Sequence, residues 1–213
     1  MVTLTPEELR QRIDDAGRHA RHTGALRPIT TRTLSLSDAG IIFVVRLMQR
    51  ASPSARPPQN ADPLANPFLP YERDLYVADL APTHVAILNK YNVFDRHLLI
   101  ITRDYHHQEE WLTPPDFAAL LACMAAFPSM GFYNAGRAAG ASQTHKHLQV
   151  VPLPLGGEGP AVPVQPLIEA AGLTAAPGRA PGLPYRHAAA RVDAAWFQRP
   201  DEGAVQAFET YRR

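Results

Sequence analysis

Proline sets the strongest single limit on what this chain can fold into. It fills 21 of 213 positions, about twice the usual share, and each copy removes a backbone donor and breaks a helix interior. Long helices are excluded over much of the chain, a helical bundle is disfavoured, and short elements joined by loops are expected. Two prolines or proline pairs stand where proline instead starts a helix. Thr5-Pro6-Glu7-Glu8 combines an N-cap, a proline at the first helical position and a capping-box glutamate. A polar helix should open there, stop near Gly24 and lie peripherally, as an N-terminal arm over residues 1–29. Thr113-Pro114-Pro115-Asp116 repeats that chemistry, and Phe117, Leu120, Leu121 and Met124 then fall at i, i+3, i+4 and i+7. That pattern predicts a helix covering one face of a sheet.

Residues 40–48 (GIIFVVRLM) form a β-branched apolar run and read as a strand, followed by a proline-rich loop over 51–70. Residues 75–78, 84–88 and 97–102 are three further short strands, spaced as an antiparallel meander. Residues 131–134 and 145–152 read as two more, joined by the small-residue loop 135–143. Strands in runs with helices on one side indicate an α+β domain, placed at residues 30–155. Residues 156–213 read as the start of a C-terminal extension rich in Gly, Pro and Ala, with a short helix at 166–171 and a strand around 185–192. The segment 204–213 puts Ala204, Phe208 and Tyr211 on one helical face and has no C-cap. It is expected to stop inside an element and to lack a surface that buries this face.

Composition narrows the function classes. At 46% hydrophobic residues the chain can fill a core, and 21 basic against 20 acidic residues leave a net charge of +1. No global field recruits nucleic acid or an acidic membrane, so anion binding must be local. The lone Cys123 rules out an intrachain disulfide framework and a zinc site built on a cysteine pair, and fits a reducing compartment. Residues 1–12 carry charge where a signal peptide needs an apolar core, and no stretch approaches a membrane span. A soluble, cytoplasmic protein is expected.

The stretch richest in chemistry is GASQTHKHLQVVPLP, residues 140–154. On a strand, a period of two puts His145, His147 and Gln149 on one face and Lys146, Leu148 and Val150 on the other. Gly140 permits close backbone approach to a ligand, while Ala141, Ser142 and Gln143 offer N–H and hydroxyl donors to phosphate oxygens. A nucleophile beside such a cradle suits phosphoryl transfer. Two histidines at i, i+2 are also compatible with metal ligation or with a solvated strand face, although no third ligand has a recognisable spacing. Asn89, Lys90 and Asn134 are equally what turn chemistry places at strand ends. Phe68, Tyr71 and Tyr76 are candidates to stack on a base or to fill a core. His106 and His107 sit in a polar turn.

These residues resemble the histidine triad (HIT-like) superfamily, and more closely its branch of diadenosine tetraphosphate phosphorylases, also called ATP adenylyltransferases. The resemblance runs from Asn66 to about Leu155 through NPFLPYERDLYV, THVAILNKYNV, HLLIITRDYHHQEEWLT, GFYNAGRAAGASQ and HKHLQVVPLP. Hydrolases of the superfamily usually carry a third histidine where this chain has Gln149. Galactose-1-phosphate uridylyltransferases share H-x-H-x-Q, usually with proline where this chain has Lys146, and commonly with cysteine ligands that this chain lacks.

The resemblance implies an antiparallel HIT-like sheet with helices packed on one side. It makes His147 the nucleophile that becomes transiently adenylylated and His145 the support for its orientation, with a backbone carbonyl expected at the other ring N–H of His147. Gln149 matches the residue bonding the transferred phosphate. Ser142 and Asn134 match phosphate and ribose contacts, and Asn89, with Lys90 beside it, the edge of the nucleoside pocket; Gly140 and Gln143 are substrate-binding candidates from the cradle alone. Arg50 lies where a basic residue could reach the polyphosphate. The implied reaction is phosphorolysis of diadenosine tetraphosphate to ATP and ADP, with inorganic phosphate as second substrate. No cofactor is expected on protein ligands; magnesium would come with the nucleotide, and a homodimer is compatible with the pattern. A nucleotidyl hydrolase, another nucleotidylyltransferase and a nucleotide-binding module without turnover are the competing readings.

Overall fold

A computed structural model describes residues 4–38, 40–48, 66–156 and 159–213; Arg50 and most of the proline-rich loop lie outside them. Helix α1 (Pro6–Thr23) starts as its capping chemistry requires: Glu8 N–H donates to Thr5 Oγ1 and Thr5 N–H donates to Glu8 Oε2 at 2.8 Å. Gly24 ends it in the left-handed region at φ 74°. The helix is not a peripheral arm. Leu9, Ile13, Gly17 and Ala20 are buried, and the three with side chains join the main core. Only this narrow stripe is apolar, so the surrounding charged positions give the segment its polar look.

The central sheet has the order β3-β4-β5-β7-β6, formed by β3 (Tyr76–Ala81), β4 (His84–Leu88), β5 (Leu98–Thr102), β6 (Ser129–Phe132) and β7 (His147–Pro152). Every neighbouring pair is antiparallel. HVAIL and LLIIT form β4 and β5 and are buried on both faces. On one face α1 and α2 (Pro114–Ala125) pack over Leu98, Ile100, Leu148 and Val150. On the other, Val85, Ile87, Leu99 and Ile101 pack with Phe68, Tyr71 and Tyr76. The fold is therefore α+β, with the helices on one side of an antiparallel sheet.

The stripe of α2 does reach this core, with Phe117, Leu120 and Met124 partly buried against it, but the residues fully buried there are the small Ala119 and Cys123. Close approach follows: a Cβ on Gly131 of β6 would lie 2.7 Å from Leu120 Cδ1 and from Met124 Sδ.

Residues 40–48 appear as β2 (Ile41–Met48), paired in a separate two-stranded sheet with β1 (Thr31–Asp38). The sequence TRTLSLSD has only two apolar side chains, too few to show a strand by composition. The helix at 166–171 is α3 (Gln165–Ala170). No strand occupies 185–192. Ala189 forms one isolated bridge with Gly178, and Tyr185 and Val192 are exposed; without a neighbouring ladder the run stays irregular. α4 (Ala195–Gln198) leads into α5 (Pro200–Tyr211), and α5 does not lack a covering surface. It packs on α2, burying Ala204 and setting the Tyr211 ring 5.6 Å from both Trp111 and Phe117. The expectation failed because α2 is buried on two sides, with Ala118, Leu121 and Ala122 adding to its sheet-facing residues. Among the described residues no helix is long and apolar enough to cross a membrane.

Candidate active site

The alternation of β7 sorts its side chains as the period of two requires. His147 pairs with Ile101 and Gln149 with Leu99, so both lie on the helix-free face, while Leu148 and Val150 enter the helical core. The strand begins at His147, not at His145, which makes only an isolated bridge to His107. Gln108 bridges the gap left where β6 ends. Its Oε1 accepts from His147 N–H at 2.7 Å, and its Nε2 donates to the carbonyls of His147 and Asn134 at 3.1 and 2.8 Å. Tyr133 Oη donates in turn to the Gln108 carbonyl.

Each histidine is held in one tautomer. His147 Nδ1–H donates to the backbone carbonyl of His145 at 2.8 Å, which leaves Nε2 with its lone pair. Burial pushes the His147 pKa down, against the effect of that carbonyl, so the ring stays neutral. Thr102 Oγ1 gives its own proton to the Asp104 carbonyl and accepts from His145 Nε2–H at 2.8 Å. His145 Nδ1 then accepts from Asn66 Nδ2 at 3.0 Å, and Asn66 Oδ1 accepts from Phe68 N–H. The Phe68 ring leans on both imidazoles, 5.7 Å from His145 and 5.2 Å from His147. Gln149 Oε1 accepts from His97 Nε2–H at 2.9 Å, turning the amide NH₂ away from His97. Burial lowers the pKa of His97, which also stays neutral.

His147, Gln149, Ser142, Gln143, Asn89 and Lys90 all line one cavity of about 220 Å³, with Phe68 in its wall. Lys90 pairs with Glu72 at its edge. Asn89 Oδ1 accepts from Tyr91 N–H at 3.1 Å, so turn chemistry and a place in the cavity coexist. His145, Asn134 and Gly140 are not in the lining. His145 stands behind His147, Asn134 acts through its carbonyl, and Gly140 sits at φ 95°, where a side chain would be strained. Tyr71 and Tyr76 also lie outside this cavity. A larger cavity, about 360 Å³, lies beside α1, but its charges pair among themselves as Arg96–Asp14 and Arg21–Asp95.

Lys146 projects through to the helical side. Its Nζ lies 2.8 Å from Asp116 Oδ2 and donates also to the Trp111 carbonyl, and Asp116 Oδ1 accepts from His84 Nε2 at 3.0 Å. Burial alone would raise the Asp116 pKa, but hydrogen bonds from His84, Lys146 and Thr113 hold the carboxyl far below the ordinary range.

Asn66, His97, Thr102 and Gln108 were not singled out in the sequence. Asn66 and Thr102 act on His145, and His97 and Gln108 on Gln149 and His147, all from distant elements, and a lone polar residue among apolar neighbours, as in HLLIIT, is the only available signal. Among the described residues no three His, Cys, Asp or Glu side chains cluster to hold a metal.

Residues 1–170 match the family model described as the Ap4A phosphorylase N-terminal domain. The chain is 30% identical over 167 residues to Protein APA1 of Saccharomyces cerevisiae, covering 70% of this chain and 50% of that protein. The crystal structure of yeast Ap4A phosphorylase Apa2 superposes with a TM-score of 0.64 at 27% identity, covering 84% of this chain and 55% of the other. Apa2 in complex with Ap4A gives a TM-score of 0.60 at 26% identity, covering 72% and 53%. The chain thus spans about half the length of the curated relatives it matches.

Proposed function

The chain belongs to the Ap4A phosphorylase N-terminal domain family, and from that premise we propose that it transfers a nucleotidyl group from a dinucleoside polyphosphate to inorganic phosphate, with His147 as nucleophile. One observation carries the reading: the bond from His147 Nδ1–H to the His145 carbonyl leaves Nε2 as the basic ring atom of a neutral imidazole lining the cavity. In the proposed reaction Nε2 attacks the α-phosphorus of diadenosine tetraphosphate. An N–P bond forms, the P–O bond to the leaving group breaks, and ATP departs. The positive charge on the adenylylated ring is shared through Nδ1–H with the His145 carbonyl. Phosphate oxygen then attacks the same phosphorus, the P–N bond breaks, and ADP leaves with the imidazole neutral again. Gln149 NH₂, Ser142 and the N–H groups of the 140–143 loop donate to the phosphoryl oxygens as charge moves across them. Asn89 and Lys90 border the nucleoside. A divalent cation, in this reading, arrives on the polyphosphate.

The test is to incubate the protein with diadenosine tetraphosphate, with and without phosphate, and to separate the nucleotides. ATP and ADP formed only with phosphate support the reading. ATP and AMP formed without it would indicate a hydrolase. A nucleotide-binding module without turnover is the second reading; tight binding with no product would establish it.

A further inference from the structure

The ribbon of β1 and β2 turns one face to the body of the protein and leaves the other open. Register places Thr33 opposite Arg46 on the inner face, where Arg46 donates to the Leu155 carbonyl at 2.7 Å and lies over the Phe94 ring at 3.8 Å. The outer face carries Leu34, Leu36, Phe43, Val45 and Leu47, with Leu36 at 55%, Phe43 at 48% and Leu47 at 45% exposure. The outer edge of β1 is open too: among the described residues, no backbone group outside β2 bonds to the backbone of residues 31–38. We propose that a second copy of this chain pairs with β1 edge to edge, antiparallel about a two-fold axis at Ser35, so that two ribbons become one four-stranded sheet. The proposal is independent of the nucleotidyl-transfer reading.

Charge complementarity along β1 selects this partner and this register. Arg32, Leu34, Leu36 and Asp38 share the outer face by the period of two. A two-fold axis at Ser35 sets Leu34 opposite Leu36 of the second copy and Arg32 opposite its Asp38, and symmetry repeats both contacts. Directly opposed side chains in such a pairing lie about 5 Å apart at Cβ, close enough for the four leucines to cover one another and for each ion pair to close. Arg32 and Asp38 are both exposed, and neither has an ion-pair or hydrogen-bond partner among the described residues. An apolar centre with an opposite charge at each end is therefore complementary to itself.

Other ways of joining two ribbons lack this match. Arg46 is the one charged residue of β2 and already bonds to the Leu155 carbonyl, so pairing through the β2 edge brings no opposite charges together. Stacking the outer faces about the same axis would set Leu47 on Ile41, which Ala180 and Leu183 of its own chain already cover. The β1 edge also lacks the devices that block strand addition. TRTLSLSD contains no proline and no lysine, in a chain that has 21 prolines.

The experiment uses the full chain and follows molecular mass against concentration by analytical ultracentrifugation. The parent should pass from one copy to two as concentration rises. Arg32→Asp and Asp38→Arg each put like charges opposite one another at both ends of the seam and should weaken association about tenfold or more. Both positions are exposed, so neither change endangers folding. The variant carrying both changes should associate like the parent, and so should an equimolar mixture of the two single variants, because in each case acid again faces base at both ends. A parent that stays a single copy up to about 1 mM, where even a millimolar dissociation constant would show, would overturn the proposal. Single variants that associate as the parent does would place the contact elsewhere and overturn it as well, as would a double variant and a mixture that both stay dissociated.

Discussion

His147 Nδ1 sits 2.8 Å from the backbone carbonyl of His145, two residues earlier on the same chain. The contact sets the tautomer of one histidine through the peptide of the other, and it needs no acidic partner. His145 contributes mainly by fixing where its carbonyl points, since its ring is bonded on both nitrogens, to Thr102 and to Asn66. Replacing His147 by Ala should abolish turnover and leave nucleotide binding within about tenfold, because most binding contacts lie elsewhere. Denaturation at alkaline pH after mixing with labelled dinucleotide, followed by acid treatment to release the label, checks it. An acid-labile adenylyl adduct on the His147→Ala protein would remove His147 as nucleophile.

Gln149 and His97 should behave as a pair. The His97 N–H holds the amide oxygen of Gln149, which directs its NH₂ end as a donor. Gln149→Ala is expected to slow transfer about 10²-fold, the usual loss for one oxyanion donor. His97→Phe removes the constraint on the amide and should lower the rate by less, with no added loss when combined with Gln149→Ala. Gln149→His is expected to raise AMP released per ATP, because imidazole can shuttle a proton to water and an amide cannot. Independent, additive losses in the double variant would show that His97 does not act through Gln149.

Acid should weaken both fold and rate. Burial first of all lowers the pKa of His97, His145 and His147 below the ordinary histidine value of 6.5. Between the folded values and 6.5 the unfolded chain binds more protons, so stability rises with pH across that window. The contribution is fully present above 6.5 and is lost as pH falls through the folded values. The same sign holds for the rate, since protonated His147 has no lone pair. Denaturant midpoints and kcat/KM measured between about pH 5 and 8 report both. A midpoint that rises on acidification from pH 6.5 would contradict the burial of these rings as neutral groups.

Tyr211 anchors the last helix. Its ring meets Trp111 and Phe117 edge-on, and such pairs are worth about 1 kcal/mol beyond the area they cover. Tyr211→Ala should therefore lower the unfolding free energy by about 1–2 kcal/mol, measured by urea titration. No change would mean that α5 is held elsewhere along its length.

The parts of this fold legible in the sequence are those whose cause is local. Thr5 and Thr113 mark helix starts because a cap reads its own next three residues, and HVAIL and LLIIT declare themselves because both faces are buried. The face shared by His147 and Gln149 follows from a period of two. What the sequence left hidden depends on distant partners. α1 looked peripheral because its burial is a four-residue stripe, α5 looked uncovered because its cover is the second side of α2, and Tyr71 and Tyr76 could not be separated from Phe68 by spacing. Gln108, His97 and Asn66 act across 39, 52 and 79 residues of sequence, where no pattern of neighbours reveals them.

Lys146 is the case in which a residue between two site histidines faces the opposite way. Its ammonium and the Asp116 carboxylate are both almost wholly buried, at 3% and 1% side-chain exposure. Breaking such a pair from one side strands a charge in the core, which costs about 3–5 kcal/mol, whereas replacing both groups by apolar ones of similar size is often neutral. Lys146→Met should therefore destabilise by about that amount, and adding Asp116→Leu should recover part of it. Recovery will be incomplete because Asp116 also bonds to Thr113 N–H at 2.7 Å and to His84, both of which lose their acceptor. Turnover should fall with Lys146→Met at temperatures where the protein remains folded, since Lys146 ties the start of β7 to α2. Urea titrations of both single variants and of the double variant measure the coupling directly. A Lys146→Met variant as stable as the parent, or a double variant less stable than the sum of the singles, would show that this pair does not hold the start of β7 in place.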